Sequence, residues 1–311
     1  SLQTEEQVEA NLAGQRAILE RLLGSAGGGE GGVEVVNNAD WLRRLGYLEV
    51  LRDVGKHFSV NAMIQRDSVA TRLAGREHGI SYTEFSYMVL QAYDYLHLFR
   101  EHGCTVQMGG SDQFGNIVSG IDLIRRFHAR EHGEGATASL AFGVTSPLVT
   151  AADGSKIGKT ERGATWLGAE RTSPYRFHQF WLNASDADAG RYLRWFSMRG
   201  REEIEALEDE QRSQPAARPA QRALAAELVE FVHGPTERDR AEAASQALFS
   251  GRVRDLDPAS LGEIAGDLPS SRHAVEDLDE PGADLVDLLV ATGLAKSRRE
   301  AREFVAAGAV A

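Results

Sequence analysis

Tyr87, Gln91 and Asp94 follow one another at intervals of four and three residues, so on a helix they share one face. Seven residues of α-helix rise about 10 Å, a span that suits holding both ends of an amino acid with a para-substituted ring. A carboxylate facing a buried pocket is costly unless something donates to it, and a phenolic hydroxyl is a suitable donor. The same spacing also describes a half-exposed helix whose polar face meets water. For these three residues alone both readings stay open.

Two further constellations lie downstream. Gly109-Gly110-Ser111-Asp112-Gln113 follows an apolar run and opens a helical pattern, the place where ligands of open α/β sheets collect. The glycines let a ligand approach the backbone, Asp112 could accept from ribose hydroxyls, and Gln113 could reach a polar group of a substrate. A tight turn with Ser111 or Asp112 as N-cap is equally compatible. The loop from Ala152 to Thr160 then sets Lys156 and Lys159 among Gly154 and Gly158, a composition suited to a mobile anion clamp. Its glycines are separated by three residues where a P-loop requires four, so it is not read as that nucleotide nest. A solvated turn bearing two lysines remains the other reading of the loop.

His128-Ala129-Arg130-Glu131-His132 matches the H-x-x-E-H zinc pattern. Arg-Glu-His-Gly also occurs at Arg76 to Gly79, Arg100 to Gly103 and Arg130 to Gly133. Such a repeat marks helix ends, with histidine at the negative pole and glycine as terminator. No protein-bound metal is expected.

The elements that must position these residues are legible as alternation. Thr4 and Gln7 form a capping-box pattern for a helix running to Leu23 and ending at Gly24. Gly27 to Gly32 reads as a surface loop and Val33 to Val36 as a short strand. Helical patterns fill Tyr47 to Gly75, broken near Gly55. A helix is expected over Thr83 to Phe99, a buried strand over Cys104 to Met108, a helix over Gln113 to Arg130, and a short strand over Leu148 to Thr150. This pattern predicts an α/β domain with a parallel sheet and helical crossovers. After Ser173-Pro174 the chain reads as helical to Gly251. A polar connection from Pro269 to Gly282 then leads to a helical pair, Leu285 to Ala291 and Ser297 to Ala307.

A net charge of -12 across 311 residues argues against a generic nucleic-acid coat while permitting a local basic patch. The single Cys104 excludes an intrachain disulfide and suits a reducing cytoplasm. Neither an 18-residue apolar run nor a basic-then-apolar leader is present, so no membrane association is expected.

Together the segments Gly79 to Asp94, Gly109 to Asn116, Leu51 to Asn61, Thr172 to Tyr175 and the lysine loop closely resemble bacterial tyrosyl-tRNA synthetases, class I enzymes with a Rossmann-like catalytic domain. The lysine loop looks like that family's Lys-Met-Ser-Lys-Ser segment. The resemblance implies that Tyr87 and Gln91 hold the ammonium of L-tyrosine, with Asn38 ordering that end, and that Asp94 takes the phenolic hydroxyl. Gln113 would lie near the substrate carboxylate, and Gly110 and Asp112 would serve the ribose of the adenylate. Lys156, Lys159 and Thr160 would clasp the phosphates of ATP, which arrives with Mg2+. Arg298, Arg299 and Arg302 could meet tRNA phosphates, or form a solvated helix face.

The implied organisation is a catalytic Rossmann-like domain over 1–168 with an inserted dimerisation segment, a helical anticodon-binding domain over 169–268, a linker over 269–282, and the beginning of an S4-like α+β RNA-binding domain over 283–311. The implied activity is that of a cytoplasmic, homodimeric tyrosine–tRNA ligase acting on L-tyrosine, ATP and tRNA(Tyr), with Tyr82 near the dimer interface. A non-catalytic RNA-binding relative and a tryptophanyl-tRNA synthetase are the alternatives. The family's His-Ile-Gly-His segment has no counterpart in the sequence. The expectation is therefore a catalytic domain incomplete at its N-terminus, in a chain shorter than its parent at both ends and deficient in forming tyrosyl-adenylate.

Overall fold

Thr4 opens the first helix, α1 (Glu5–Leu23): its hydroxyl accepts from the Gln7 N–H while the Gln7 side chain accepts from the Thr4 N–H. That reciprocal pair satisfies two of the donors a helix start leaves free. The computed structural model describes residues 3–24, 32–66, 69, 80–133, 140–154, 157, 159–160, 163–267, 271–274, 276 and 282–310. The expected glycine loop, apart from Gly32, lies outside them. The chain divides into two compact units, Glu34–Thr150 and a second assembled from Ser1–Val33 and Ala151–Ala311.

The first unit begins with an extended segment and three short helices, α2 (Ala39–Leu42), α3 (Tyr47–Glu49) and α4 (Val60–Ile64). Between the last two, a wide turn over Val50–Val54 tightens at Gly55–His57, so the expected break falls at Gly55. The long helix α5 (Tyr82–His102) starts at a capping box of Ser81 with Glu84 and ends at Gly103, whose φ of 66° is readily accessible only to glycine. It is followed by β1 (Val106–Gly110), α6 (Phe114–His132) and β2 (Phe142–Ser146). The strands pair in parallel from Val106↔Phe142 to Gly110↔Ser146, with α6 as the crossover. This is the α/β element the sequence predicted. Gly133 at φ 92° closes α6, and the His128 and His132 rings stack at 4.2 Å, so two Arg-Glu-His-Gly copies mark helix ends. The copy at Arg76 to Gly79 lies outside the described residues.

Tyr95 binds the helices to the sheet. Its ring is fully buried, and its hydroxyl lies 2.9 Å and 2.7 Å from the carbonyls of Thr105 and Phe142. The ring fits against α6 because residue 120 is glycine: a Cβ there would stand 2.8 Å from Tyr95 Cδ1. Ala92, Leu96, Leu123 and Ile124 complete this core.

Three strand expectations are corrected. Val33 to Val36 forms no strand, because an extended run needs a hydrogen-bonded neighbour and none pairs with it among the described residues. Of Leu148 to Thr150 only Thr150 makes a bridge. The strand expected at Cys104 to Met108 starts two residues later, and it is not buried: Val106 is 43% and Met108 73% exposed. Gln107 and Gly109 turn to the α6 side, while Val106 and Met108 share the opposite, exposed face with their partners Phe142 and Val144. Apolar residue types set a preference for burial, but only a covering element delivers it.

The second unit is helical: α7 (Pro174–Leu182), α8 (Asp186–Phe196), α9 (Arg201–Ser213), α10 (Pro219–His233), α11 (Pro235–Ser250) and α12 (Pro258–Asp267). Proline occupies the first turn of α7, α10 and α11, where its missing N–H has no partner to lose. Trp181, Leu193, Leu224 and Val229 anchor the core, and Leu22 of α1 and Ile157 of the lysine-bearing segment pack against it. That packing groups both segments with the helices. Two short strands, β3 (Lys159–Thr160) and β4 (Gly163–Ala164), pair antiparallel. The terminal pair α13 (Leu285–Ala291) and α14 (Arg298–Ala306) closes on its own cluster of Leu289, Ala295 and Ala301. No helix among the described residues is long and apolar enough to cross a membrane.

Candidate active site

The periodicity of α5 sorts its side chains. Met88, Ala92, Tyr95 and Leu96 face the core, which leaves Tyr87, Gln91 and Asp94 on the outer face. Tyr87 is exposed, while Gln91 and Asp94 are half-buried. Asp94 is held by two donors from the preceding segment: Asn38 Nδ2 donates to Oδ2 at 3.0 Å and Trp41 Nε1 donates to Oδ1 at 2.7 Å. Burial pushes the Asp94 carboxyl above the usual carboxylate range, and the Asn38 and Trp41 hydrogen bonds and the nearby His97 pull it back. An ionised carboxylate offers about four acceptor positions. The two observed donors leave room for a phenolic hydroxyl.

A chain of amides joins this face to the glycine turn. Asn116 Nδ2 donates to Gln91 Oε1 at 3.0 Å and to Gln113 Oε1 at 3.1 Å, and Gln113 Nε2 donates to Asp112 Oδ2 at 3.1 Å. Gln91 of the first constellation and Asp112 and Gln113 of the second are thus joined in one polar network crossing α5, the turn at Ser111–Gln113 and α6. A Cβ at Gly110 would lie 2.6 Å from Asp112 Oδ1 and 2.9 Å from Leu148 Cδ2, so a larger residue there would displace those two side chains. An open cleft of about 660 Å³ is bordered by Tyr87, Met88, Arg66, Asp112, Gln113 and Phe114, a size that suits a small ligand.

Asn38 is placed differently from the expectation. It contacts Asp94, at the carboxylate end of the helical face, and not the Tyr87–Gln91 end. The position depends on α2 folding back onto α5, which local spacing does not encode. Lys156 lies outside the described residues, and Lys159 and Thr160 are described as backbone in β3. Arg298 pairs with Asp287 at 2.6 Å and 2.5 Å, Arg299 pairs with Glu303 at 3.1 Å, and Arg302 is exposed on α14.

Trp41, Asn116 and Arg66 were missed as site residues by sequence reasoning. Trp41 and Asn116 carried a usable signal, each standing three residues after a singled-out polar residue, Asn38 and Gln113. On a helical turn such a residue shares its neighbour's face.

A family model describing tRNA synthetases class I (W and Y) matches residues 1–250, and one describing the tyrosine–tRNA ligase SYY-like C-terminal domain matches residues 261–311. The chain is 47% identical over 309 residues to the tyrosine–tRNA ligase of Roseiflexus castenholzii, covering 99% of this chain and 70% of that protein. It is 45% identical over 309 residues to that of Staphylococcus carnosus, covering 99% and 69%. Among solved structures, a C-terminally truncated mitochondrial tyrosyl-tRNA synthetase of Aspergillus nidulans superposes with a TM-score of 0.65 at 31% identity, covering 80% of this chain and 70% of that one. On its profile, its relatives and its βαβ site, the chain belongs to the tyrosyl-tRNA synthetases of class I.

Proposed function

We propose that the chain acts as a tyrosine–tRNA ligase. The carboxylate of L-tyrosine attacks the α-phosphate of ATP, pyrophosphate leaves, and the tyrosyl group of the adenylate then passes to the 3′ end of tRNA(Tyr). The observation that carries the reading is Asp94, held half-buried by Asn38 and Trp41 on the helical face it shares with Tyr87 and Gln91. Asp94 takes the phenolic hydroxyl, and Gln91 and Tyr87, about one and two helical turns back, take the ammonium. Gln113 orients the substrate carboxylate, and Gly110 and Asp112 receive the ribose. Lys156, Lys159 and Thr160 gather the phosphates, with Mg2+ travelling as part of the ATP substrate. Positioning and charge stabilisation dominate such a displacement, since little acid–base work is needed.

The same reading assigns 1–168 to the catalytic domain, 169–268 to the anticodon-binding helices, 269–282 to a linker and 283–311 to an S4-like domain. Arg298, Arg299 and Arg302 would face tRNA phosphates, in a homodimer working in the cytoplasm. The test is tyrosine affinity by calorimetry in the wild type and in Asp94→Ala. The reading expects measurable binding that the substitution weakens by about 1–3 kcal/mol. No affinity in either protein would favour the non-catalytic RNA-binding alternative.

A further inference from the structure

Trp41 meets Asp94 with its edge and His97 with its face. While Nε1 donates to Asp94 Oδ1 at 2.7 Å, the indole stacks on the His97 imidazole with ring centroids 4.4 Å apart and planes inclined by 20°. His97 stands three residues after Asp94 on α5, so one helical face presents the carboxylate and the imidazole to two sides of the same ring. The indole itself sits on α2, a helix of four residues. So short a helix has little stability of its own, and tertiary contacts must fix its side chains.

We infer that His97 is a positioning residue of the tyrosine site: it holds the Trp41 indole so that its N–H points at Asp94. The inference rests on Asp94 being the acceptor of the phenol. Burial opposes ionisation of Asp94, while the Trp41 hydrogen bond and His97 favour it. His97 faces Trp41 from α2, Asp94 one turn back on its own helix, and the His102 ring at 6.1 Å, whose Nδ1 is 3.3 Å from Glu34 Oε2.

The experiment measures tyrosine affinity by calorimetry and the Asp94 carboxyl titration by carbon NMR without ligand. It compares wild type, His97→Ala, His97→Phe and Asp94→Ala. His97→Ala should weaken tyrosine binding about fivefold, and His97→Phe, which keeps an aromatic face, should restore it. His97→Ala should also move the Asp94 titration to higher pH as the indole donor is lost, and His97→Phe should return it. A merely structural role would not shift the Asp94 titration and let an aromatic ring restore it. Tyrosine affinities and Asp94 titrations unchanged in both His97 variants, with Asp94→Ala weakening binding, would overturn the inference alone. Undiminished binding by Asp94→Ala would overturn the site reading and this inference with it. Should His97→Ala fail to fold, His97→Leu, which fills similar space without a ring face, takes its place with the same expected losses.

Discussion

The helical unit and the sheet-bearing unit use apolar residues in opposite ways. Leu193, Leu224, Ala225 and Val229 are completely buried between helices, whereas Met108 on β1 is 73% exposed and Phe142 on β2 50%. Two titratable groups differ as well. Asp94 in the sheet-bearing unit has two donors of good geometry, while the buried His178 of α7 has an Nδ1 with no partner among the described residues. The helical unit closes on itself, and the sheet-bearing unit leaves one sheet face open. Substitutions in the first should therefore act on stability, and substitutions in the second on ligand affinity.

The largest effect is expected in the helical core. Leu224→Ala should lower unfolding free energy by about 2–5 kcal/mol through lost burial and the cavity left behind, measured by urea denaturation. A loss below about 1 kcal/mol would break the contrast.

The second prediction concerns pH. Burial pulls the His178 imidazole down to about 4 from its ordinary 6.5. The unfolded chain therefore binds a proton in that window that the folded chain refuses, so stability falls on acidification. The change approaches about 3 kcal/mol between pH 6.5 and about 4. His178→Phe should flatten that part of the stability profile, and an unchanged acid limb would contradict the assignment.

These two positions differ in how far the sequence announced them. The run of helices after Ser173-Pro174 was plain from periodicity and helix-start prolines. That His178 would lie at the centre of three helices without a partner was not, because its environment is made by α10 and α11 arriving from elsewhere in the chain. In the sheet-bearing unit, α5 was legible from the helical pattern over Thr83 to Phe99 and from the spacing of Tyr87, Gln91 and Asp94. The role of Asn38 was misplaced and Trp41 was overlooked, since both depend on a short helix folding back more than fifty residues in sequence. Local pattern reports which face of an element is polar. It does not report what meets that face.

Smaller effects sharpen the comparison. Asn116→Ala cuts the amide chain between Gln91 and Gln113 and should weaken tyrosine binding by about 1 kcal/mol, with the unfolding midpoint nearly constant. Equal losses in stability and affinity would blur the division between the units. Met108→Ser should change stability by less than about 0.5 kcal/mol, because that side chain already faces solvent. A loss of several times that size would mean that the exposed sheet face is covered in solution.

The most direct test of the account is the ratio of tyrosine to phenylalanine affinity, measured in wild type and in Asp94→Ala. A phenol gives the Asp94 carboxylate a donor, and phenylalanine leaves it short of one at a cost of about 1–3 kcal/mol. The wild type should therefore prefer tyrosine by that margin, and the variant should bind the two amino acids alike. A tyrosine preference that survives removal of Asp94 would contradict the account.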